Sequence, residues 1–490
     1  MAFTDPARSV TYAALAEQAT RFAAGLAAAG VGRERRIALV MLDTMDFPAA
    51  FWGAIGAGVI PVPVNTLLTP EQTAYILADS RAELLVVSAP LLPPLRPLLA
   101  RLPALRGVVV AGVDGTPTQD ASDWHDFLPA TPAPLVEVSA DEVAFWLYSS
   151  GSTGLPKGAR HVHASLRATA DTYAAQVLGI TPDDTVYSAA KLFFAYGLGN
   201  GMTFPMSVGA SAVLLPDRPT PDAVLATMAR FHPSIFGGVP TLYAALLAHP
   251  GLTHGAGSER LRRCISAGEA LPEAVARRWV DRTGVDILDG LGSTEMLHIF
   301  VSNTPDDIGY GATGRAVPGY QLRIVDADGA DVADGIAGEL IVRGPSAADG
   351  YWNQREKSRA TFRGAWTWTG DTYVRDAEGR YRYQGRADDM MKVGGIWVSP
   401  FEVEAALLTH PGVLEAAVVG EQDADGLTKP KAFLVARDTG TDADQLRAEL
   451  KAMVQEQIGV WKYPRWIELV DNLPKTATGK IQRYKLRGGG

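Results

Sequence analysis

The chain has 490 residues, 47% hydrophobic and 20% charged, with a formal net charge of −9. That length exceeds one compact core and calls for two or three domains. The acidic balance, with basic residues scattered rather than gathered in a tract, excludes general nucleic-acid binding.

The N-terminal residues Met1-Ala2-Phe3-Thr4-Asp5-Pro6 carry no basic region followed by an apolar run, so no secretory signal is expected there. Residues 12–29 are alanine-rich with apolar positions at helical spacing, and they close at Gly30. The most hydrophobic stretch, 47–64, is interrupted by Gly53, Gly56, Gly58, Pro61 and Pro63. It reads as a buried helix running into a strand, because a membrane span needs about 20 apolar residues. Short apolar runs at 36–41, 84–87, 212–215, 234–236 and 285–288 alternate with helical segments. That alternation predicts an α/β fold with helices packed over a sheet. The single cysteine, Cys264, excludes an intramolecular disulfide and a cysteine-built metal site. Beside apolar residues it reads as a core side chain, and the usage fits a reducing, cytoplasmic setting.

Between these runs, the strand-like Val143-Ala144-Phe145-Trp146-Leu147 leads into Tyr148-Ser149-Ser150-Gly151-Ser152-Thr153-Gly154-Leu155-Pro156-Lys157-Gly158. Glycines let the backbone approach a ligand, successive N–H groups form an anion-binding concavity, and hydroxyls and a lysine add donors. The inventory suits a polyphosphate. It is not a Walker A loop, because Gly158 and Ala159, not Ser or Thr, follow Lys157.

After about residue 310, the stretches 321–325, 338–343 and 380–383 alternate apolar and polar residues, the period of half-exposed antiparallel strands. A β-rich subdomain is therefore expected, followed from about 385 by a small α+β unit. Four more clusters carry polar chemistry: Asp289-Gly290-Leu291-Gly292-Ser293-Thr294-Glu295 after a strand, Trp368-Thr369-Gly370-Asp371 in an expected tight turn, Gly385-Arg386-Ala387-Asp388-Asp389 at the domain junction, and Pro474-Lys475-Thr476-Ala477-Thr478-Gly479-Lys480 near the C-terminus. Singly, each reads equally as a turn, a linker or a solvated end.

In this order and at these intervals, the motifs resemble the acyl-adenylate-forming superfamily of acyl-CoA synthetases, peptide-synthetase adenylation domains and firefly luciferase. The segments 191–200 (KLFFAYGLGN) and 292–300 (GSTEMLHIF) are similar to those of benzoate-CoA and hydroxybenzoate-CoA ligases. The resemblance implies a large N-terminal domain, 1–387, of α/β subdomains plus a β-rich subdomain, and a small mobile α+β domain, 388–490. It implies ATP, Mg²⁺ and coenzyme A as reactants and cofactor, with small-molecule partners, no nucleic acid, no membrane, and a monomer or homodimer.

By the same resemblance, Ser149, Ser150, Gly151, Ser152, Thr153, Gly154 and Lys157 hold the ATP phosphates. Thr294 contacts the α-phosphate and Glu295 binds Mg²⁺. Gly268, Glu269 and Ala270 line the adenine pocket, Asp289 and Gly290 also bind ATP, and Asp371 with Arg386 holds the ribose. Lys480 bridges the attacking carboxylate and the phosphate. Asp388 is the hinge about which the C-terminal domain turns, bringing Gly394 and Gly395 to the coenzyme A thiol. Phe194, Ala195, Tyr196 and Gly197, with Gly292, His298 and Ile299, form a flat slot for an aromatic ring, and the small residues at 195, 197, 290 and 292 are expected to leave room for it. The implied activity is ATP-dependent ligation of an aromatic acid to coenzyme A through acyl-AMP. Loading of a separate carrier-protein thiol, a non-catalytic nucleotide-binding protein and luciferase-like oxygenation are the alternatives.

Overall fold

The computed structural model describes the chain except residues 113–120, 151–154, 387–388, 394–395, 425–426, 438–441, 460–461, 476–480 and 488–490, and the side chains of residues 150, 392, 396, 397 and 484. It is a mixed α/β structure. A five-stranded parallel sheet runs in the order Ile60–Pro63, Arg36–Val40, Leu84–Ser88, Gly107–Ala111, Ser122–Asp123. Its strands are apolar on both faces because helices cover them. The helix Tyr12–Ala28 starts at Thr11, whose side chain accepts from the Ala14 N–H, and buries Leu15, Phe22 and Leu26. It packs closely on the helix Asp46–Gly56: a Cβ on Gly53 would lie 2.4 Å from the Ala19 carbonyl oxygen. The hydrophobic stretch 47–64 is thus a buried helix followed by the buried strand Ile60–Pro63, as its glycines and prolines predict. Among the described residues no helix is long and apolar enough to cross a membrane.

A second, nine-stranded sheet carries the parallel strands Thr185–Ser188, Ile235–Gly238, Arg263–Ser266 and Ile287–Gly292 side by side. Their carboxyl ends fall in register: Ser188 opposite Gly237, Gly238 opposite Ser266, and Ser266 opposite Asp289. Such an edge is where open α/β sheets bind ligands. Ile287–Gly292 then turns back as an antiparallel pair with Ile299–Ser302.

The strands on either side of the Gly/Ser/Thr segment, whose residues 151–154 lie outside the described part, pair with each other. The strand Val143–Ser150 runs further than its apolar start suggests and pairs with Pro156–Val162, placing Ser149 opposite Lys157. A third strand, Gly350–Tyr351, lies along the other side, with Tyr351 opposite Ala159. The alternating stretches after 320 form an antiparallel five-stranded sheet. Asp371 does not sit in a tight turn: it lies inside the strand Trp366–Arg375, where Gly370 (φ +70°) kinks the backbone, and it is opposite Arg386. The last hundred residues build their own core around Val398, Val403, Leu407, Leu434 and Leu450. They touch the preceding sheet where the Ser399 hydroxyl donates to the Gln384 carbonyl and Phe401 packs on Tyr383 at 5.5 Å.

Candidate active site

Strand periodicity puts Lys157, Ala159 and His161 on one face of their strand, and the register of the neighbouring strand adds Tyr351. The Lys157 ammonium donates to the Tyr351 phenol oxygen at 2.6 Å, and that phenol donates to Glu295 Oε1 at 2.6 Å. Lys157 Nζ is also 3.3 Å from Glu295 Oε1, with the two side chains only 19% and 15% exposed. Burial alone would raise the Glu295 pKa, but Lys157 and the phenol outweigh it and hold the carboxyl below its usual range. Burial first, then the adjacent Glu295, pushes the Tyr351 phenol far upward, so it stays a donor.

His161 supports the segment from behind. Its Nε2 donates to the Thr294 carbonyl at 2.8 Å and its ring stacks on Phe145 at 5.2 Å. Burial lowers its pKa to about 4, so it is neutral, and Nδ1 has no partner among the described residues.

The residues expected beside the adenine lie at or just beyond the carboxyl ends of adjacent strands. Gly268, with φ +95°, opens the segment containing Glu269 and Ala270 just beyond Arg263–Ser266. Asp289 is 6% exposed on the next strand. Burial pushes its carboxyl well above the usual range, against a weaker pull from the Gly290 and Leu271 N–H groups. Asp289 Oδ1 and Ser149 Oγ are buried without a partner among the described residues. Asp371 Oδ1 accepts from Arg386 Nη1 at 3.1 Å, and the same nitrogen donates to the Thr369 carbonyl.

The residues expected around the aromatic ring centre on a buried histidine. His298 is 2% exposed and ringed by Phe204, Tyr173 and Tyr196, at centroid distances of 4.5, 5.2 and 5.7 Å. Its Nε2 donates to the Tyr196 carbonyl at 3.3 Å, burial lowers its pKa to about 3, and Nδ1 has no partner among the described residues. The Tyr196 hydroxyl is committed to the Ile265 and Gly238 carbonyls, at 3.0 and 3.1 Å. Ile299 is 1% exposed, whereas Phe194 and Ala195 are half-buried.

The glycines have a different reason from the one expected. A Cβ on Gly197 would lie 2.0 Å from the Lys191 carbonyl oxygen, one on Gly290 would lie 2.9 Å from Ile299, and one on Gly292 would lie 2.8 Å from the His298 backbone. The protein's own packing, not an open slot, fills the places where these side chains would be.

These groups gather at one place. Burial dominates the raised pKa values of Tyr196 and Tyr373, but the Asp289 charge reaches both, and the Arg386 charge reaches Tyr351. Ser150 (whose side chain is not described), Gly151, Ser152, Thr153, Gly154, Asp388, Gly394, Gly395 and Lys480 lie outside the described part. Sequence reasoning missed Tyr351 and His161. The even spacing of His161 from Lys157 was a usable signal, but nothing local in Gly350-Tyr351-Trp352 announces a site.

Comparison with known proteins identifies the family. A family model described as AMP-binding enzyme matches residues 1–352, and one for the AMP-binding enzyme C-terminal domain matches 402–480. The chain is 53% identical to a benzoate–CoA ligase of Thauera aromatica over 99% of this chain and 92% of that protein. It is similar to the crystal structure of a benzoate CoA ligase from Burkholderia xenovorans LB400, at 49% identity and a TM-score of 0.92, covering 99% and 96% of the two chains. An anthranilate CoA ligase solved in complex with anthranoyl-AMP matches at 42% identity and a TM-score of 0.95, covering 99% and 93%.

Proposed function

We infer the reaction from one premise: this chain belongs to the AMP-binding enzyme family. It ligates an aromatic carboxylic acid, benzoate or a substituted benzoate, to coenzyme A at the expense of ATP. A carboxylate is a poor electrophile, since it is anionic and its leaving group would be oxide. Its oxygen attacks the α-phosphate, the bond to pyrophosphate breaks, and the resulting acyl-AMP presents AMP as a leaving group for the thiol. Bringing an anion to a polyanion makes fixed cations and N–H donors the dominant catalytic contribution.

The observation that carries this reading is the pair Lys157 and Glu295, 3.3 Å apart, with Lys157 opposite Ser149 in the strands that flank the Gly/Ser/Thr segment. The orphaned Ser149 hydroxyl suits a phosphate oxygen and the orphaned Asp289 Oδ1 suits the adenine amino group. Gly268, Glu269, Ala270 and Gly290 flank that base, and Asp371 with Arg386 takes the ribose hydroxyls. Among the described residues no group of three His, Cys, Asp or Glu side chains forms a metal cage. Glu295 with phosphate oxygens suits Mg²⁺, which keeps few protein ligands and otherwise binds substrate phosphates and water. When bound, Mg²⁺ neutralises phosphate charge. Thr294, its carbonyl pinned by His161, faces the α-phosphate, and Lys480 bridges acid and phosphate as a cation. Phe194, Ala195, Tyr196, Gly197, Gly292, His298 and Ile299 frame the acid.

The domain division at 387/388, with Asp388 as the hinge and Gly394 and Gly395 beside the thiol, is part of the same proposal. Asp388→Pro, which restricts φ, spares acyl-AMP formation and slows thioester formation. Normal overall turnover in that variant would count against a turning domain. The benzoate–CoA ligase of Thauera aromatica and that of Burkholderia xenovorans both match over nearly full length, which favours coenzyme A over a carrier protein as acceptor. A pyrophosphate-release assay with coenzyme A tests the substrate class across benzoate, its hydroxy, amino and halo derivatives, furoate and short aliphatic acids. Turnover of planar aromatic acids with thioester formation is expected. A preference for the aliphatic acids, or pyrophosphate release with no thioester, would sink the proposal.

A further inference from the structure

Tyr351 lies outside every motif read from the sequence, yet its hydroxyl is bonded to both Lys157 and Glu295. It sits on the two-residue strand Gly350–Tyr351, 4% exposed, with its ring against Phe362 at 5.3 Å. Its backbone N–H donates to the Ser358 hydroxyl at 2.9 Å, and Ser358 in turn donates to the Gln354 carbonyl at 2.8 Å. The phenol is therefore held from behind, while its oxygen accepts from Lys157 and donates to Glu295, both at 2.6 Å.

Resting on the reading above, Lys157 and Glu295 must part in use, one toward phosphate and the other toward the cation. A direct ion pair in a low-dielectric place resists parting, because each charge left behind loses its partner. A neutral phenol between them changes that balance. When the ammonium moves to phosphate, the Glu295 oxygen keeps the phenol hydrogen bond, so the carboxylate is never stranded and its rotamer is retained. We propose that Tyr351 is a positioning residue that releases Lys157 from Glu295 to the phosphates of ATP and keeps the Glu295 carboxylate aimed at the cation.

The test uses the purified full-length enzyme and compares Tyr351→Phe, which removes only the hydroxyl, with Glu295→Gln. ATP is titrated calorimetrically with and without Mg²⁺. The Mg²⁺ dependence of pyrophosphate release, thioester formation from synthetic acyl-AMP and Tm are measured alongside. In Tyr351→Phe, affinity for ATP in Mg²⁺ falls about tenfold, the effect of losing one charge-assisted hydrogen bond. The Mg²⁺ midpoint rises in parallel, while KM for the acid, thioester formation and Tm stay unchanged. Unchanged ATP affinity and Mg²⁺ midpoint in Tyr351→Phe, with both shifted in Glu295→Gln, overturns the role of Tyr351 alone. No shift in Glu295→Gln overturns the metal-site assignment and this inference with it. A loss spread over both half-reactions with a lowered Tm makes Tyr351 merely structural and also overturns it.

Discussion

The two sides of the site are built on opposite principles. On the nucleotide side, Lys157 and Glu295 are charged, partly accessible, and provisionally paired with each other and with a phenol. On the aromatic side, His298 is neutral, sealed among three rings and tied to a backbone carbonyl. In the proposed reaction the groups that exchange partners are charged and within reach of an alternative. The group proposed to shape the ring slot is desolvated, which removes its charge.

The contrast breaks most severely at Lys480. Lys480→Ala lowers acyl-AMP formation by about 10²–10³-fold, the usual loss for a transition-state charge partner. Thioester formation from preformed acyl-AMP remains, as pyrophosphate release measured beside thioester assays would reveal; equal loss of both refutes the assignment. Gly197→Ala attacks the other side. Its Cβ meets backbone at 2.0 Å, so overpacking costs about 1–3 kcal/mol of stability. KM for the acid rises while KM for ATP does not. Denaturant unfolding and paired KM measurements decide this, and an unaltered acid KM would separate Gly197 from the aromatic site.

The smallest effect concerns protons. The pKa values of His161 and His298 are lowered to about 4 and about 3, below the usual value of about 6.5 in an unfolded chain. As pH falls below 6.5 the unfolded chain takes up protons that the native state refuses. The stability associated with each neutral histidine is therefore complete above that pH and declines toward its folded pKa. His298→Phe removes one such contribution and flattens the decline by about 1.4 kcal/mol per pH unit. Urea unfolding at pH 7 and pH 5 gives the comparison. An identical loss in wild type and variant would mean that His298 is not held neutral.

Much of the fold was legible because it rests on local pattern. The interrupted stretch 47–64 and the alternating stretches after 320 each report which face of a segment is buried, and the described elements follow them. Asp371 lies opposite Arg386, and the strand that leads to the 268–270 segment ends with Ser266 opposite Asp289. The expected tight turn at Asp371 failed because one glycine kink within a strand carries the same residues as a turn.

By itself the sequence determined the chemistry on offer: a Gly/Ser/Thr run with one lysine after a strand-like segment, a Ser-Thr-Glu tip after a strand, an aromatic run and a single cysteine. Composition and spacing are properties of the chain, and they survive unfolding. Only the tertiary structure decided which groups face one another. Tyr351 reaches Lys157 across 194 positions of sequence through a two-residue edge strand, and His161 reaches the Thr294 carbonyl across 133. Sheet register sets such contacts, and it depends on long-range packing. The glycines at 197, 290 and 292 show the same limit. Sequence indicates that a side chain is missing there, and the fold alone shows that the chain's own packing fills the space.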